Sequence, residues 1–342
     1  MPLTFALLSL AKILVILFVL LTAVAYLVWL ERKLVARIQS RWGPTRVGPH
    51  GLMQPLADAV KLLTKEDLTP AGAFRLIYLL APFLSLVVSL LAFAVIPFGP
   101  VYHFGGLDVP AQISDLNIGL LFVLAVSSIG VYGIVLAGWS SNSKYSLLGG
   151  LRSAAQMISY ELAVSLSVVG VLLLAGSLSL RTIVDEQAGT FWGFLPRWNL
   201  FPQIVSFLCF FVASIAETNR LPFDLPEAEA ELVAGYHTEY SSMKFAMFFM
   251  AEYANMVTVS CMATILFLGG WQGPVFGPPV LQALLPLLWF SVKVFVFLFF
   301  YIWMRGTLPR FRYDQLMRFG WKLLVPVALG NLVVTSFILT LR

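Results

Sequence analysis

Eight long apolar segments constrain the fold of this chain more than any other feature. A helix needs roughly 20 mainly apolar residues to cross the hydrocarbon core of a bilayer, and most of these segments are at least that long. Runs such as 295–300 lack the period-two alternation of a membrane β-barrel strand. We therefore predict an all-α, polytopic membrane protein that forms a single domain over residues 1–342. The predicted spans are 3–30, 77–97, 116–138, 154–180, 201–216, 243–269, 280–304 and 322–341.

Composition excludes several classes of function. Hydrophobic residues make up 59% of the 342 residues and charged residues only 11%, against about 45–50% and about 25% in an average soluble domain. A cytosolic enzyme or a nucleic-acid-binding domain is excluded on this ground. Cys209 and Cys261 lie in apolar runs, and the three histidines form no pair, so we expect no disulfide and no metal site. The sequence also lacks nucleotide-binding glycine motifs, so any electron carriers would belong to partner subunits.

Basic residues indicate which side of the membrane each loop faces. Seventeen of the 22 Lys and Arg residues lie in or beside the odd-numbered loops, and only three lie on the opposite side. Because short cytoplasmic loops are enriched in basic residues, we expect those loops to face inward and both termini to face outward. Nothing basic precedes the first span, and its apolar core is too long for a cleaved signal peptide, so we expect it to be retained.

The first inward loop, residues 31–75, combines an irregular Gly/Pro stretch with a short amphipathic helix over 52–64. Leu52, Leu56, Val60 and Leu63 recur at helical spacing and form one apolar face. Such a helix lies in the membrane interface or packs on the bundle, and the sequence favours neither arrangement.

Ionisable residues inside the predicted spans are candidates for function, because a charge at the bilayer centre costs roughly 2.5–3.5 kcal/mol on insertion scales. Glu161 lies in the fourth span, Glu252 in the sixth and Lys293 near the middle of the seventh, while Glu217 closes the fifth. Lys12 lies in the outer half of the first span, from which its ammonium can reach the interface. Lys293 is too deep for that, so we expect it to pair with a carboxylate or to face water. Together these residues favour a polar interior that holds and passes protons.

The inward loop 217–240 is the densest charged feature. Its acidic residues are Glu217, Asp224, Glu227, Glu229, Glu231 and Glu239. Arg220 is the one basic residue that offsets them, and a helix opened by Pro226 would explain Glu227 and Glu229 alone. A calcium loop needs a turn glycine among its ligands, and none occurs before Gly235. The loop is typical of a protein-docking surface or of a polar, proton-handling chamber at the membrane boundary.

Two classes of function fit these features: a transporter or channel that acts alone, and a membrane subunit of a redox-driven pump. Several ordered motifs favour the second. They are Glu31-Arg32-Lys33, Gly48-Pro49, residues 51–55, 57–59 and 61–66, the run AETNRLPFDLPEAEAELVAGYHTEYSSMKFAMFFMAEYANM at 216–256, and residues 309–317. These motifs resemble the NuoH family, the quinone-site membrane subunit of respiratory complex I (NADH:quinone oxidoreductase), and the resemblance covers essentially the whole chain.

The resemblance implies a subunit that joins the membrane arm to the peripheral arm and forms the access channel for a lipid-soluble quinone, ubiquinone or menaquinone. Flavin and iron–sulfur clusters are then expected in partner subunits, so this chain alone has no complete catalytic site. The implied partners are the peripheral-arm iron–sulfur and quinone-headgroup subunits, the adjacent membrane-arm subunits and membrane lipid. The implied location is the bacterial inner membrane, with both termini on the periplasmic side.

Residue roles follow from the same resemblance, position by position. The implied quinone-channel residues are Glu31, Arg32, Arg41, Asp58, Asp224, Glu227, Glu229, Glu231 and Arg305. The implied proton-coupling residues are Glu161, Glu217, Glu252 and Lys293. Two alternatives stay open: a homologous subunit of a membrane-bound hydrogenase or other dehydrogenase, and a stand-alone proton or cation transporter. The absence of inverted repeats argues against the transporter.

Overall fold

The computed structural model describes residues 2–104, 107–191, 195–225 and 233–341, and helices dominate these ranges. The α-helices are α1 Pro2–Ile38, α2 Gln54–Thr64, α3 Arg75–Leu91, α4 Gly119–Ser140, α5 Lys144–Ala175, α6 Leu180–Glu186, α7 Ile204–Glu217, α8 Ser242–Phe267, α9 Pro279–Thr307, α10 Tyr313–Phe319 and α11 Val325–Thr340. The strands are β1 Val101–Phe104, β2 Leu107–Pro110, β3 Thr190–Phe191 and β4 Leu195–Pro196, which form two antiparallel hairpins. A single turn of π-helix, Gly320–Leu324, joins α10 to α11 without a break.

Seven helical stretches in the described ranges are long and apolar enough to cross a membrane, and they confirm the predicted fold class. They contain α1, α3, α4, α5, α8, α9 and the continuous run from α10 through α11. The remaining predicted span, 201–216, corresponds to α7, which has 14 residues. Its role as an eighth crossing stays a prediction, as does the description of the whole chain as one domain.

Two boundaries differ from the sequence-based expectation. Helix α1 continues eight residues past the predicted end at 30, and α5 begins at Lys144 rather than at 154. The first two turns of α5 contain polar residues and glycines, which lower the local hydropathy, but these residues are packed rather than exposed. Gly149 lies so close to Gly235 that an added Cβ would approach its backbone to 2.7 Å. The helix therefore extends because tertiary packing covers this stretch.

Helix α8 forms the centre of the bundle, and the helices at its edge are exposed. In the most apolar stretch of α8, 72% of the residues are buried, against 17% for both α1 and α11. Large apolar side chains such as Phe18 and Phe337 are therefore exposed on the outer helices. This inverted distribution is what a bundle surrounded by lipid requires, because lipid solvates apolar side chains as well as a protein core does.

The bundle has two ends, which differ in their chemistry. One end, the Glu31 face, carries Glu31, α2, residues 218–225 and 233–241, and α10. The other end, the hairpin face, carries the two β-hairpins and α6, none of which the sequence reading anticipated. The hairpins interrupt the loops 98–115 and 181–200, where short strands flank polar turns.

Candidate functional site

Arg220 lies at the centre of a buried ion-pair network on the Glu31 face. Its guanidinium is between two carboxylates, with Nη1 3.6 Å from Glu31 Oε2 and Nε 2.9 Å from Glu252 Oε1. The guanidinium also stacks on Tyr253, at 4.2 Å from the ring centroid. Burial alone would lower the pKa of Arg220, but Glu252, Tyr253 and Glu31 raise it well above its usual range. Arg220 is therefore a permanent charge, and the carboxylates around it are the groups that can change.

Glu31 connects this arginine to a second one. The carboxylate is 5% exposed, pairs with Arg305 at the end of α9 and accepts a hydrogen bond of 2.8 Å from the Tyr253 hydroxyl. Four segments meet here: the α1 end, the loop after α7, the first half of α8 and the α9 end. We call this set the Arg220 cluster, and its members are Glu31, Arg220, Glu252, Tyr253 and Arg305.

A small polar cavity extends the network deeper into the bundle. It has a volume of about 40 Å³ and is lined by both Glu252 and Glu217, together with polar groups such as Asn255. A cavity of this size and polarity has room for water. Glu217 in turn lies near Glu161, and Glu161 accepts a hydrogen bond from Ser128 on α4. The three predicted coupling glutamates therefore follow one another from the Arg220 cluster inward.

Asp58 anchors the amphipathic helix α2 to the end of α1. Its Oδ2 is 2.8 Å from Nη1 of Arg32, and its Oδ1 accepts a hydrogen bond of 3.1 Å from Gln54. The apolar face of α2 stays uncovered by the described residues, with Leu63 65% exposed. This exposure favours the membrane interface over packing on the bundle of this chain. Arg41 lies further out, where its described side-chain bond is to Gln39.

Asp224 ties the start of the acidic loop to the segment between α9 and α10. One carboxylate oxygen is 3.3 Å from Nη2 of Arg310, and the neighbouring Phe223 ring stacks on Phe311 at 5.4 Å between centroids. The remaining acidic residues of the predicted channel wall are Glu227, Glu229 and Glu231, which lie outside the described residues. Whether the loop is a docking surface or a chamber wall stays a prediction.

Lys293 is held in a different way from the one predicted. Instead of a carboxylate, its ammonium binds three backbone carbonyls, those of Leu268, Gly270 and Gln272, at 2.7, 3.0 and 2.7 Å. It also lies 5.0 Å from the centroid of the Trp198 ring. These groups close the end of α8 on the hairpin face, at the opposite end of the bundle from the Arg220 cluster. The expectation of a carboxylate partner was wrong, because the turn after α8 directs its carbonyl oxygens at the lysine.

A large apolar cleft runs along α1 beside these sites. Its volume is about 950 Å³, within the usual range for ligand pockets. Helices α1, α8 and α9 form most of its wall, and at one end it is lined by Trp29 and Leu30, the two residues that precede Glu31. The cleft therefore approaches the Arg220 cluster from the apolar side.

Fold and site together define a class: a polytopic helical membrane protein in which a buried chain of arginines and carboxylates adjoins an apolar cleft. Sequence reasoning did not identify Tyr253 or Ser128, and it noted Arg220 only as an offset to the acidic loop. The available signal for Arg220 was its position as the sole basic residue among six carboxylates.

Comparison with known proteins specifies the family. The family model for NADH dehydrogenase matches residues 11–336. An NADH-quinone oxidoreductase membrane component of Koribacter versatilis, named as its H-type subunit, is 60% identical over 352 aligned residues, which cover 99% of this chain and 98% of that protein. The proteins of the same type from Geobacter sulfurreducens and Thermomicrobium roseum are 56% and 52% identical, covering 96% and 95% of this chain and 95% and 94% of their own lengths. The chain belongs to the NADH dehydrogenase family, which confirms the resemblance to the NuoH family.

Proposed function

We propose that this chain is the membrane subunit of a proton-pumping NADH:quinone oxidoreductase. The names of relatives that match nearly its full length, all of them NADH-quinone oxidoreductase subunits of the H type, support this assignment. The observation that carries the mechanism is the position of the Arg220 cluster at the end of an apolar cleft. The redox groups, flavin and iron–sulfur clusters, would reside in partner subunits that dock on the Glu31 face.

Quinone access is the first proposed task. The isoprenoid tail of ubiquinone or menaquinone needs an apolar passage, and the cleft end at Trp29 and Leu30 offers one. The headgroup needs polar contacts at the membrane boundary, where Arg32 and Asp58 form their pair. The further residues proposed for the channel wall are Glu31, Arg41, Asp224, Glu227, Glu229, Glu231 and Arg305.

Coupling to proton movement is the second proposed task. Reduction of a quinone to a quinol takes up two electrons and two protons, so the charge near the headgroup changes during turnover. Two unit charges 4 Å apart interact by about 4 kcal/mol at the effective dielectric of a protein boundary. A change of this size near Glu31 is enough to alter the protonation of Glu252. Through the shared cavity the effect would pass to Glu217 and then to Glu161.

Lys293 is left out of this proposed relay. Its ammonium already donates to three carbonyls on the hairpin face, and a carbonyl neither gains nor loses a proton. We assign it to holding the turn after α8.

The proposed location is the bacterial inner membrane, with the Glu31 face toward the cytoplasm and the hairpin face toward the periplasm. The concentration of Lys and Arg in the loops of the Glu31 face supports this orientation. Both chain termini would then lie on the periplasmic side.

Purification from the native membrane tests the proposal. The chain is extracted in mild detergent, the co-purifying proteins are identified, and the particle is assayed for NADH-dependent quinone reduction and its block by quinone-site inhibitors. We expect a large assembly with iron–sulfur subunits and inhibitor-sensitive activity. A hydrogenase module in their place would change the electron donor. A chain that purifies alone and conducts ions after reconstitution would overturn the proposal in favour of a transporter.

A further inference from the structure

The apolar cleft continues far beyond the Arg220 cluster, toward the hairpin face. Along α1 its wall runs from Leu30 back to Leu8. The stretch from Lys12 to Trp29 alone rises about 26 Å, at 1.5 Å per residue, and the hydrocarbon core is roughly 30 Å thick. A single quinone headgroup at the Glu31 end therefore leaves the opposite half of the cleft unexplained.

Two polar side chains line that opposite half. Lys12 is the one charged residue among those that line the cleft, and the described residues place no carboxylate within ion-pair distance of it. Gln112, just after β2, is 3% exposed, and its Nε2 finds no hydrogen-bond partner in the described part of the chain. The neighbouring Tyr102 hydroxyl already donates to the Ala283 carbonyl at 2.9 Å.

Both groups call for an anionic acceptor. A buried amide donor without a partner costs about 1–3 kcal/mol, and inside a bilayer no bulk water is available to satisfy it. An unpaired ammonium at the edge of the hydrocarbon core attracts negative charge, and a phosphate offers strong acceptor oxygens to both donors. The remaining wall near this end, including Val15, Val19 and Phe295, is apolar.

We propose that the hairpin-face half of the cleft is a binding site for an anionic phospholipid. Its phosphate would accept from Nζ of Lys12 and Nε2 of Gln112, and its acyl chains would lie between α1 and α9 over Val257 and Cys261 of α8. A lipid with no net charge brings its own cation to the site, so it gains less from Lys12. Bound there, the lipid fills the gap behind α1, a helix with only 17% of its most apolar stretch buried by the protein itself.

Photolabelling of the assembled complex tests this site. The complex is placed in phosphatidylcholine nanodiscs with a photoactivatable phosphatidylglycerol, and labelled peptides are identified by mass spectrometry. We expect labelling on the α1 and α9 segments that line the cleft, and we expect competition by unlabelled phosphatidylglycerol but not by added phosphatidylcholine. This readout does not depend on quinone reduction, so it can fail while the proposed function stands, and the reverse also holds.

Substitutions sharpen the test. Lys12→Met is expected to lower labelling of these peptides about tenfold, and Gln112→Leu several-fold, while Lys322→Met, an exposed lysine on the Glu31 face, leaves it unchanged. If Lys12→Met does not assemble, Gln112→Leu and the competition in the unaltered complex decide the result. Equal competition by phosphatidylcholine, or full labelling of Lys12→Met, would reduce the site to ordinary surrounding lipid. Cross-links from this cleft to a neighbouring subunit, without lipid labelling, would also overturn the proposal.

Discussion

Arg220 and Lys293 are both basic side chains among apolar helices, one near each face, and the structure holds them in opposite ways. Arg220 lies between the carboxylates of Glu31 and Glu252, whereas Lys293 donates to three backbone carbonyls. Carboxylates can gain and lose protons, but carbonyls cannot. The comparison teaches that a buried charge signals function only when its partners can change state, so the Arg220 cluster is the responsive site and Lys293 the fixed anchor.

The largest effect is expected from removing the charge at the centre of the responsive site. Arg220→Met leaves Glu31 with Arg305 alone and Glu252 without its closest described cation. Breaking a buried pair by removing one partner costs about 3–5 kcal/mol, so we expect at least about a 100-fold loss of NADH-dependent quinone reduction in membranes.

Arg220→Lys serves as the matched control for this loss. It keeps the charge but not the planar fork that reaches two carboxylates, so recovery should be partial. Wild-type activity in Arg220→Met would contradict the central place given to this residue.

The anchor site should respond through stability rather than through turnover. Lys293→Met removes the donor shared by three carbonyls at the end of α8, which weakens the turn on the hairpin face. We expect a Tm of the purified complex lower by several degrees, with the rate of quinone reduction per assembled complex unchanged. Differential scanning fluorimetry and the activity assay measure the two quantities on one preparation. A large fall in the rate per complex would place Lys293 back in the coupling relay.

Asp58 tests whether the comparison extends to the membrane boundary. The Asp58–Arg32 pair is partly exposed, and such pairs contribute only about 0–1 kcal/mol to stability. Asp58→Asn should therefore leave assembly intact while raising the KM for quinone several-fold, because the proposed headgroup contacts change. Lys61→Met is the matched control, since Lys61 lies 4.0 Å from the same carboxylate and is 66% exposed. Equal kinetics in both variants would remove Asp58 from the channel.

His237 provides the smallest and most local contrast, a buried group that is kept neutral instead of paired. Burial lowers the pKa of His237 to about 4, although Asp224 opposes the shift. The unfolded chain binds this proton at higher pH than the folded chain does, so its contribution to stability is present above pH 6.5 and is lost as the pH falls toward 4. Thermal unfolding of the complex between pH 7 and 4 should show a shallower decline for His237→Leu than for the unaltered protein. Identical slopes would contradict the assignment.

The fold was largely predictable because its signals are local. Span length and hydropathy identify most helices, and the spacing of Leu56, Val60 and Leu63 identifies α2. Helix α5 was placed too far along the chain because glycines and serines in its first turns are polar by composition yet buried by neighbours, as Ser146 and Ser153 are. Packing of this kind involves distant segments, which hydropathy does not describe.

The site was predictable residue by residue but not as a network. Glu31 and Arg305 were assigned to the channel and Glu252 to coupling, and the contacts that join them connect positions up to 274 residues apart. A single sequence carries no record of such pairings. For Lys293 the depth was recognised but the partner was not, because backbone carbonyls have no side-chain signature. The only available hint was Gly269-Gly270 after the span, where both glycines have positive φ.

The ratio of protons moved to electrons transferred in the reconstituted complex tests the central claim most directly. Three preparations are compared in proteoliposomes: the unaltered complex, Glu252→Gln and Lys293→Met. Glu252→Gln keeps the shape of the side chain but removes its titration beside Arg220. The account predicts a ratio at least halved in Glu252→Gln and unchanged in Lys293→Met. Unaltered quinone reduction and an unaltered ratio in Glu252→Gln would contradict it.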